Sequence, residues 1–183
     1  MKRTLAWLLA AFLVSYADAQ TISGGGGGGA GGFTILAQAY PNTSITGVTT
    51  EQNVAAIPVP AGSMGPNGQL RVTLLVSMTN NTNAKTVTVH FNPTSGAIAG
   101  GVVATSAYAS VASGQLYAIV RNAGATGSQT TVQALATPFG SGTSSSPTTT
   151  DTTQPAWVNI GIWPSVSTDT ITLLGYTVEL NQG

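Results

Sequence analysis

The residues of this chain that could do acid–base chemistry are few. His90 is the only histidine, and beyond residue 19 the carboxylates are Glu51, Asp151, Asp169 and Glu179, set against Arg71, Lys85 and Arg121. A nucleophilic triad needs an activated hydroxyl, a base and an orienting carboxylate. Serine is plentiful, but no G-x-S-x-G turn presents one. A zinc centre needs several His, Cys or carboxylate ligands, and one histidine with no cysteine does not supply them. Glycoside hydrolysis needs two carboxylates flanking one bond. Here Asp151 falls in a Ser/Thr-rich stretch, and Asp169 opens a strand as turn residues do. The expectation is a protein with no catalytic residue, no metal and no cofactor, hence not an enzyme.

Contact chemistry has a better candidate. In "AWVNIGIW", residues 156–163, strand alternation puts Val158, Ile160 and Ile162 on a core face. Trp157, Asn159, Gly161 and Trp163 then point the other way. Gly161 removes the side chain between two indoles, leaving a shallow gap near an amide that could stack on a flat sugar or peptide. Trp157, Asn159 and Trp163 are therefore candidate ligand contacts. The competing reading buries the indoles in an oligomer interface or beneath the 139–155 stretch. Arg71 shares a face with Thr73, Leu75 and Ser77, and His90 one with Thr86 and Thr88. Both are expected at the surface or at a subunit contact, with Glu51 or Glu179 as possible partners for Arg71.

These side chains must be carried on strands. Residues 33–39, 53–59, 69–79, 85–91, 115–121, 130–136, 156–163 and 169–180 read as short strands between turn signals. Pro58 places its strand at an edge or a bulge. Leu70, Val72, Leu74, Val76 and Met78 share one face, as do Val87, Val89 and Phe91, and the two strands read as a hairpin through "TNNTNA". The last strand changes phase between Leu173 and Leu174, which a bulge near Gly175 would reconcile. Residues 98–113 are ambiguous, because their alanines tolerate a helix while Gly100, Gly101 and the valines resist one. The fold class expected is all-β, a jelly-roll-like antiparallel sandwich over residues 33–183. Residues 139–155 form a Ser/Thr-rich loop, either solvated or in contact with a receptor.

The chain has 183 residues, of which 5% are charged, with a formal net charge of zero. Ordinary soluble domains carry roughly 25%, and nothing in this balance points to nucleic acid or an anionic membrane. Residues 1–19 have a basic start, a ten-residue apolar run at 5–14 and a small-x-small "ADA". That is the form of a cleaved secretory signal, and the run is short for a membrane span. Residues 20–32, with six glycines at 24–29, read as a flexible tether.

Residues 36–92, "LAQAYPNTSITGVTTEQNVAAIPVPAGSMGPNGQLRVTLLVSMTNNTNAKTVTVHFN", resemble a recurrent module of tailed-bacteriophage structural proteins. The likeness lies in a Thr-rich first strand, an "IPAG-x-x-G-x-NG-x-LR"-like turn and strand, and "TNN-x-N-x-KT" before the next strand. It covers about a third of the chain and contains no catalytic motif. It implies a β-sandwich virion component, such as a tail or head fibre, a decoration protein or a receptor-binding tip. It further implies a homo-oligomer, commonly a trimer, in contact with other virion proteins and with a host-surface glycan or receptor. The signal-like start departs from this pattern. Either residues 1–19 anchor the chain in a particle, or the module serves an exported, secreted or cell-surface carbohydrate-binding adhesin.

Overall fold

The computed structural model describes residues 32–135 and 148–183. The expected leader at 1–19, the glycine tether up to residue 31, residues 139–147 of the expected loop and the three residues before them lie outside the described residues. Ten strands follow in chain order: β1 Thr34–Ala39, β2 Thr43–Ile45, β3 Gln52–Val59, β4 Gln69–Met78, β5 Lys85–Asn92, β6 Val102–Tyr108, β7 Ser113–Ala125, β8 Ser128–Leu135, β9 Ala156–Pro164 and β10 Ile171–Asn181. They form two sheets. The first has the order β1-β10-β4-β7-β8, with β2 also pairing β10; the second has the order β3-β9-β5-β6.

Nested antiparallel pairing explains that order. β5 pairs β6, β4 pairs β7, β3 pairs β9, and β1 and β2 pair β10. The chain is thus one long hairpin, with β8 as an extra strand outside β7. Rolling that hairpin up adds the β4–β10 and β5–β9 ladders and closes two sheets on each other. This is a jelly roll, and the fold class read from the sequence holds.

The faces follow from residue alternation. Leu70, Val72, Leu74 and Val76 of β4 meet Val87, Val89 and Phe91 of β5 and Val158, Ile160 and Ile162 of β9, all essentially without solvent contact. Each such side chain contributes about 1.5–3 kcal/mol on burial. The phase change in β10 is a bulge: Leu173 pairs Val76, Gly175 pairs Leu75, and Leu174 has no partner opposite. β3, which holds Pro58, is an edge strand. The ambiguous stretch resolves as strand β6.

One expectation fails. β4 and β5 do not form a hairpin; they lie in different sheets. Their apolar faces look at each other across the core, which a hairpin within one sheet cannot achieve. The connection that carries the chain across is pinned by a buried ion pair, Lys85 Nζ to Asp169 Oδ2 at 3.2 Å. Asn81 Nδ2 donates to Asp169 Oδ1 at 2.8 Å and Asn83 Nδ2 to Oδ2 at 3.0 Å. Lys85 also donates to the Asn81 side chain and the Asn83 carbonyl. Burial by itself pushes the Asp169 carboxyl up, but the two amides and the ammonium outweigh it and hold the group below the usual carboxylate range.

The opposite end is pinned by neutral groups. Gln129 donates to Asn122 Oδ1 and to the Thr150 carbonyl, and accepts from Thr148 Oγ1 and the Thr150 amide. Thr152 accepts from Asn122 and donates to the Met64 carbonyl. Thr150 donates to the Phe91 carbonyl of the other sheet. The described end of the expected solvated loop is therefore structural: Thr148, Thr150 and Thr152 alternate inward and tie the sheets together.

Candidate functional site

The candidate contact strand β9 lies inside the second sheet, and register fixes its neighbours. On the outer face, Trp163 stands beside Thr86, Gly161 beside Thr88, Asn159 beside His90, and Trp157 beside Asn92 of β5. Both indoles are half-buried. The gap expected between them is filled along its length. A Cβ on Gly161 would lie 1.8 Å from Glu51 Oε1, so the carboxylate occupies the space that the missing side chain leaves. Asn159 is fully buried. It donates to Asn92 Oδ1 at 3.1 Å and to the Thr94 carbonyl at 3.0 Å, and accepts from the Gly96 amide at 2.8 Å. Its amide faces the 93–101 loop and has no open side for a ligand, which corrects the expected role.

His90 requires a second correction. Alternation does turn it to the outer face, yet it is 1% exposed. The loop 93–101 and Glu51 cover it, so it does not reach solvent or another subunit. Nδ1 lies 2.8 Å from the Gly100 carbonyl and Nε2 lies 2.8 Å from Glu51 Oε1. A carbonyl only accepts, so Nδ1 carries a proton. Nε2 faces the Glu51 carboxyl, so both ring nitrogens are engaged within the fold. Glu51 is the residue that sequence reasoning missed at this face. Gly161 between two large side chains was its signal, read as room for a ligand when it is room for a neighbour.

Arg71 lies half-buried on the outer face where alternation put it. Its guanidinium stacks 3.5 Å over the Phe33 ring, a cation–π contact. Glu179 is its in-register neighbour on β10, but the ion pairs among the described residues are Lys85–Asp169 and His90–Glu51. Arg71 thus belongs to the outer face of the first sheet, among the exposed apolar side chains of Ile35, Leu75 and Val132.

An open cleft of about 610 Å³ lies where residues 148–154 pass the end of β5 and the start of β6. Its exposed members are Pro93, Val102, Thr149, Asp151 and Gln154. Asp151 Oδ1 accepts from the Thr153 hydroxyl at 2.7 Å and its amide at 3.0 Å, and these bonds hold the carboxyl below the usual range. The cleft offers one ionised carboxylate, an amide and a hydroxyl beside small apolar groups. Among the described residues no group of three or more His, Cys, Asp or Glu gathers, and no helix is long and apolar enough to cross a membrane.

No protein-family model and no curated protein matches the chain. Among solved structures it is similar to a basic winged bean lectin with Tn-antigen, at 8% identity over 69% of this chain and 77% of that one, TM-score 0.35. It is similar to winged bean acidic lectin complexed with methyl-α-D-galactose, at 7% identity over 82% and 92%, TM-score 0.38. It is also similar to a chain of infectious bursal disease virus, Gx strain, at 10% identity over 82% and 40%, TM-score 0.28. These likenesses are too loose to speak for ligand or role, and none of them is a phage fibre module. The sandwich stands on its own strand order.

Proposed function

We propose that the chain is a non-enzymatic structural or attachment component of a phage particle, a fibre, decoration or receptor-binding protein. The observation that supports this most is where the residues of the resemblance fall. Asn81, Asn83 and Lys85, from the "TNN-x-N-x-KT" signature, build the buried pin on Asp169 that carries the chain between sheets. The signature is scaffold, so what it transfers is an architecture and not a chemistry. The polar groups of the second sheet's outer face are likewise spent on one another, with both His90 nitrogens committed. Weak contacts repeated over many copies would then supply attachment through effective concentration. Mass spectrometry of purified particles tests this reading. It predicts peptides of this chain in the particle with Met1 intact, and a chain found only in the medium and beginning at Gln20 would overturn it.

The cleft beside Asp151 favours a second reading, an exported carbohydrate-binding module. Its uncharged donors and acceptors beside Val102 and Pro93 suit a hydroxylated ligand. A glycan panel probed with the wild type and Asp151→Asn tests the cleft, since this reading requires binding that the substitution weakens, and the N-terminus and location of the chain separate it from the first. A screen for hydrolysis of the same glycans tests the assignment as a non-enzyme.

A further inference from the structure

The outer face of the first sheet carries exposed apolar side chains set around a charged pair and a row of threonines. One row across the sheet reads Ile35, Glu179, Arg71, Ile119, Val132, and another brings Gly175, Leu75 and Gln115 together. The Tyr40 ring lies over Gly175, where a Cβ would meet Cδ1 at 2.8 Å. Tyr40 is 73% exposed, and Ile35, Leu75 and Val132 are each more than 40% exposed. Tyr117 and Ile119 are half-buried between them. A cluster of this kind on the flat side of a sandwich marks an interaction surface.

We infer that this face pairs with the same face of a second copy of the chain, around a two-fold axis lying in the interface between β10 and β4. Charge decides the occupant. The row holds one cation and one anion on neighbouring strands, Arg71 and Glu179, and no ion pair joins them among the described residues. A two-fold between those strands sets Glu179 of one copy against Arg71 of the other, twice, which is the self-complementarity that an isologous interface requires. The apolar run at residues 5–14 is the rival within the chain, since the chain enters this face at Phe33, but that run has no charged side chain to meet either residue. Area agrees. Five strands at about 4.8 Å spacing and seven residues at about 3.4 Å each give roughly 570 Å² in projection. Side-chain relief brings this toward the ~800 Å² per partner of a standard interface. Pairing of copies would double the valency that attachment needs, yet its test does not pass through any receptor or particle.

The chain has no cysteine, so a single introduced thiol reports this face alone. The full chain is expected to sediment as a dimer at tens of micromolar. Leu75→Cys is expected to give a disulfide-linked dimer under mild oxidation, while Val102→Cys, comparably exposed on the other sheet, is not. Leu75→Asp and Val132→Asp are expected to weaken self-association about 100-fold or more with circular dichroism unchanged, and Val102→Asp to leave it as it was. A wild type that stays monomeric, a mass of three copies, or association that survives both substitutions on the first sheet would each overturn the inference.

Discussion

The outer faces of the two sheets invert the usual expectation. On the second sheet, outward alternation carries Thr88, His90, Asn92 and Asn159 between two half-buried indoles, Trp157 and Trp163, and these four polar side chains are buried. On the first sheet it carries Ile35, Leu75 and Val132, and these stay open. The reason lies in the loop 93–101. A segment lying across a sheet must find partners for its own backbone groups. The carbonyls of Thr94, Ala97 and Gly100 and the amide of Gly96 find them in Asn159, Asn92 and His90. The side chains of Ile35, Leu75 and Val132 offer no such partners, and no loop bond to them exists among the described residues. Polar outward residues recruit the chain's own loops, and apolar ones are left for a surface that brings no backbone to satisfy.

The sharpest way to break this contrast is Asn159→Ala. It takes the partner from the Gly96 amide and from the Thr94 carbonyl at once, while Asn92 Oδ1 keeps the Thr94 amide. Each unsatisfied buried group costs about 1–3 kcal/mol, so the loss is expected to be about 2 kcal/mol or more. At about 2–4 °C per kcal/mol for a domain of this size, thermal melting should fall by roughly 4–8 °C. Amide exchange at Gly96 should accelerate with it. A loss below about 1 kcal/mol would mean that the loop is held by something else.

A smaller effect tests how Glu51 closes the face. Gly161→Ala places a methyl group where the carboxylate sits and swings it off His90. The cost expected is that of one charge-assisted hydrogen bond, about 1.5–3 kcal/mol. Glu51→Ala should cost a similar amount, and the double variant hardly more than either single one, because both remove the same contact. Additive losses from chemical denaturation would separate the glycine from the carboxylate.

The strands, the bulge in β10 and the core of β4, β5 and β9 were legible because alternation is local and its period is two. What alternation reports is the face a side chain takes, not what lies on that face. It placed His90 and Asn159 outward correctly and their exposure wrongly, because the covering residues, Glu51 and the loop 93–101, come from separate parts of the chain. The partition of β4 and β5 into two sheets was hidden for a related reason. Its determinant, Asp169, lies 84 residues from Lys85 and announces itself only as a turn residue. The cleft and the inward threonines at 148–152 share that fate, since a Thr-rich stretch has no hydropathic signal to distinguish a tie from a solvated loop.

Acid exposes the pin at the far end more gently than mutation does. The Asp169 carboxyl is lowered in the folded chain, so it binds its proton more weakly there than in the unfolded chain. Its contribution is complete above the unfolded value of about 3.9 and is lost as pH falls through the lower folded value. Unfolding free energy measured from pH 7 downward should therefore drop more steeply below about pH 4 in the wild type than in Asp169→Asn. Asp151, exposed and lowered by its Thr153 contacts, should act with the same sign and a shallower slope. An unchanged acid limb in Asp169→Asn would remove the ion pair from the account of the crossing.

The smallest effect is the most telling for the open face. Leu75 is 43% exposed, and exposed substitutions shift stability by less than about 0.5 kcal/mol. In dilute solution Leu75→Thr should therefore melt with the wild type. As concentration rises, mass action stabilises a chain whose folded form pairs with itself, so the wild-type midpoint should climb while that of the variant lags behind. Midpoints that stay together at every concentration would mean that the apolar face of the first sheet gains nothing from its own copy. The contrast with the covered face would then reflect what the loop could not do, without any partner having taken its place.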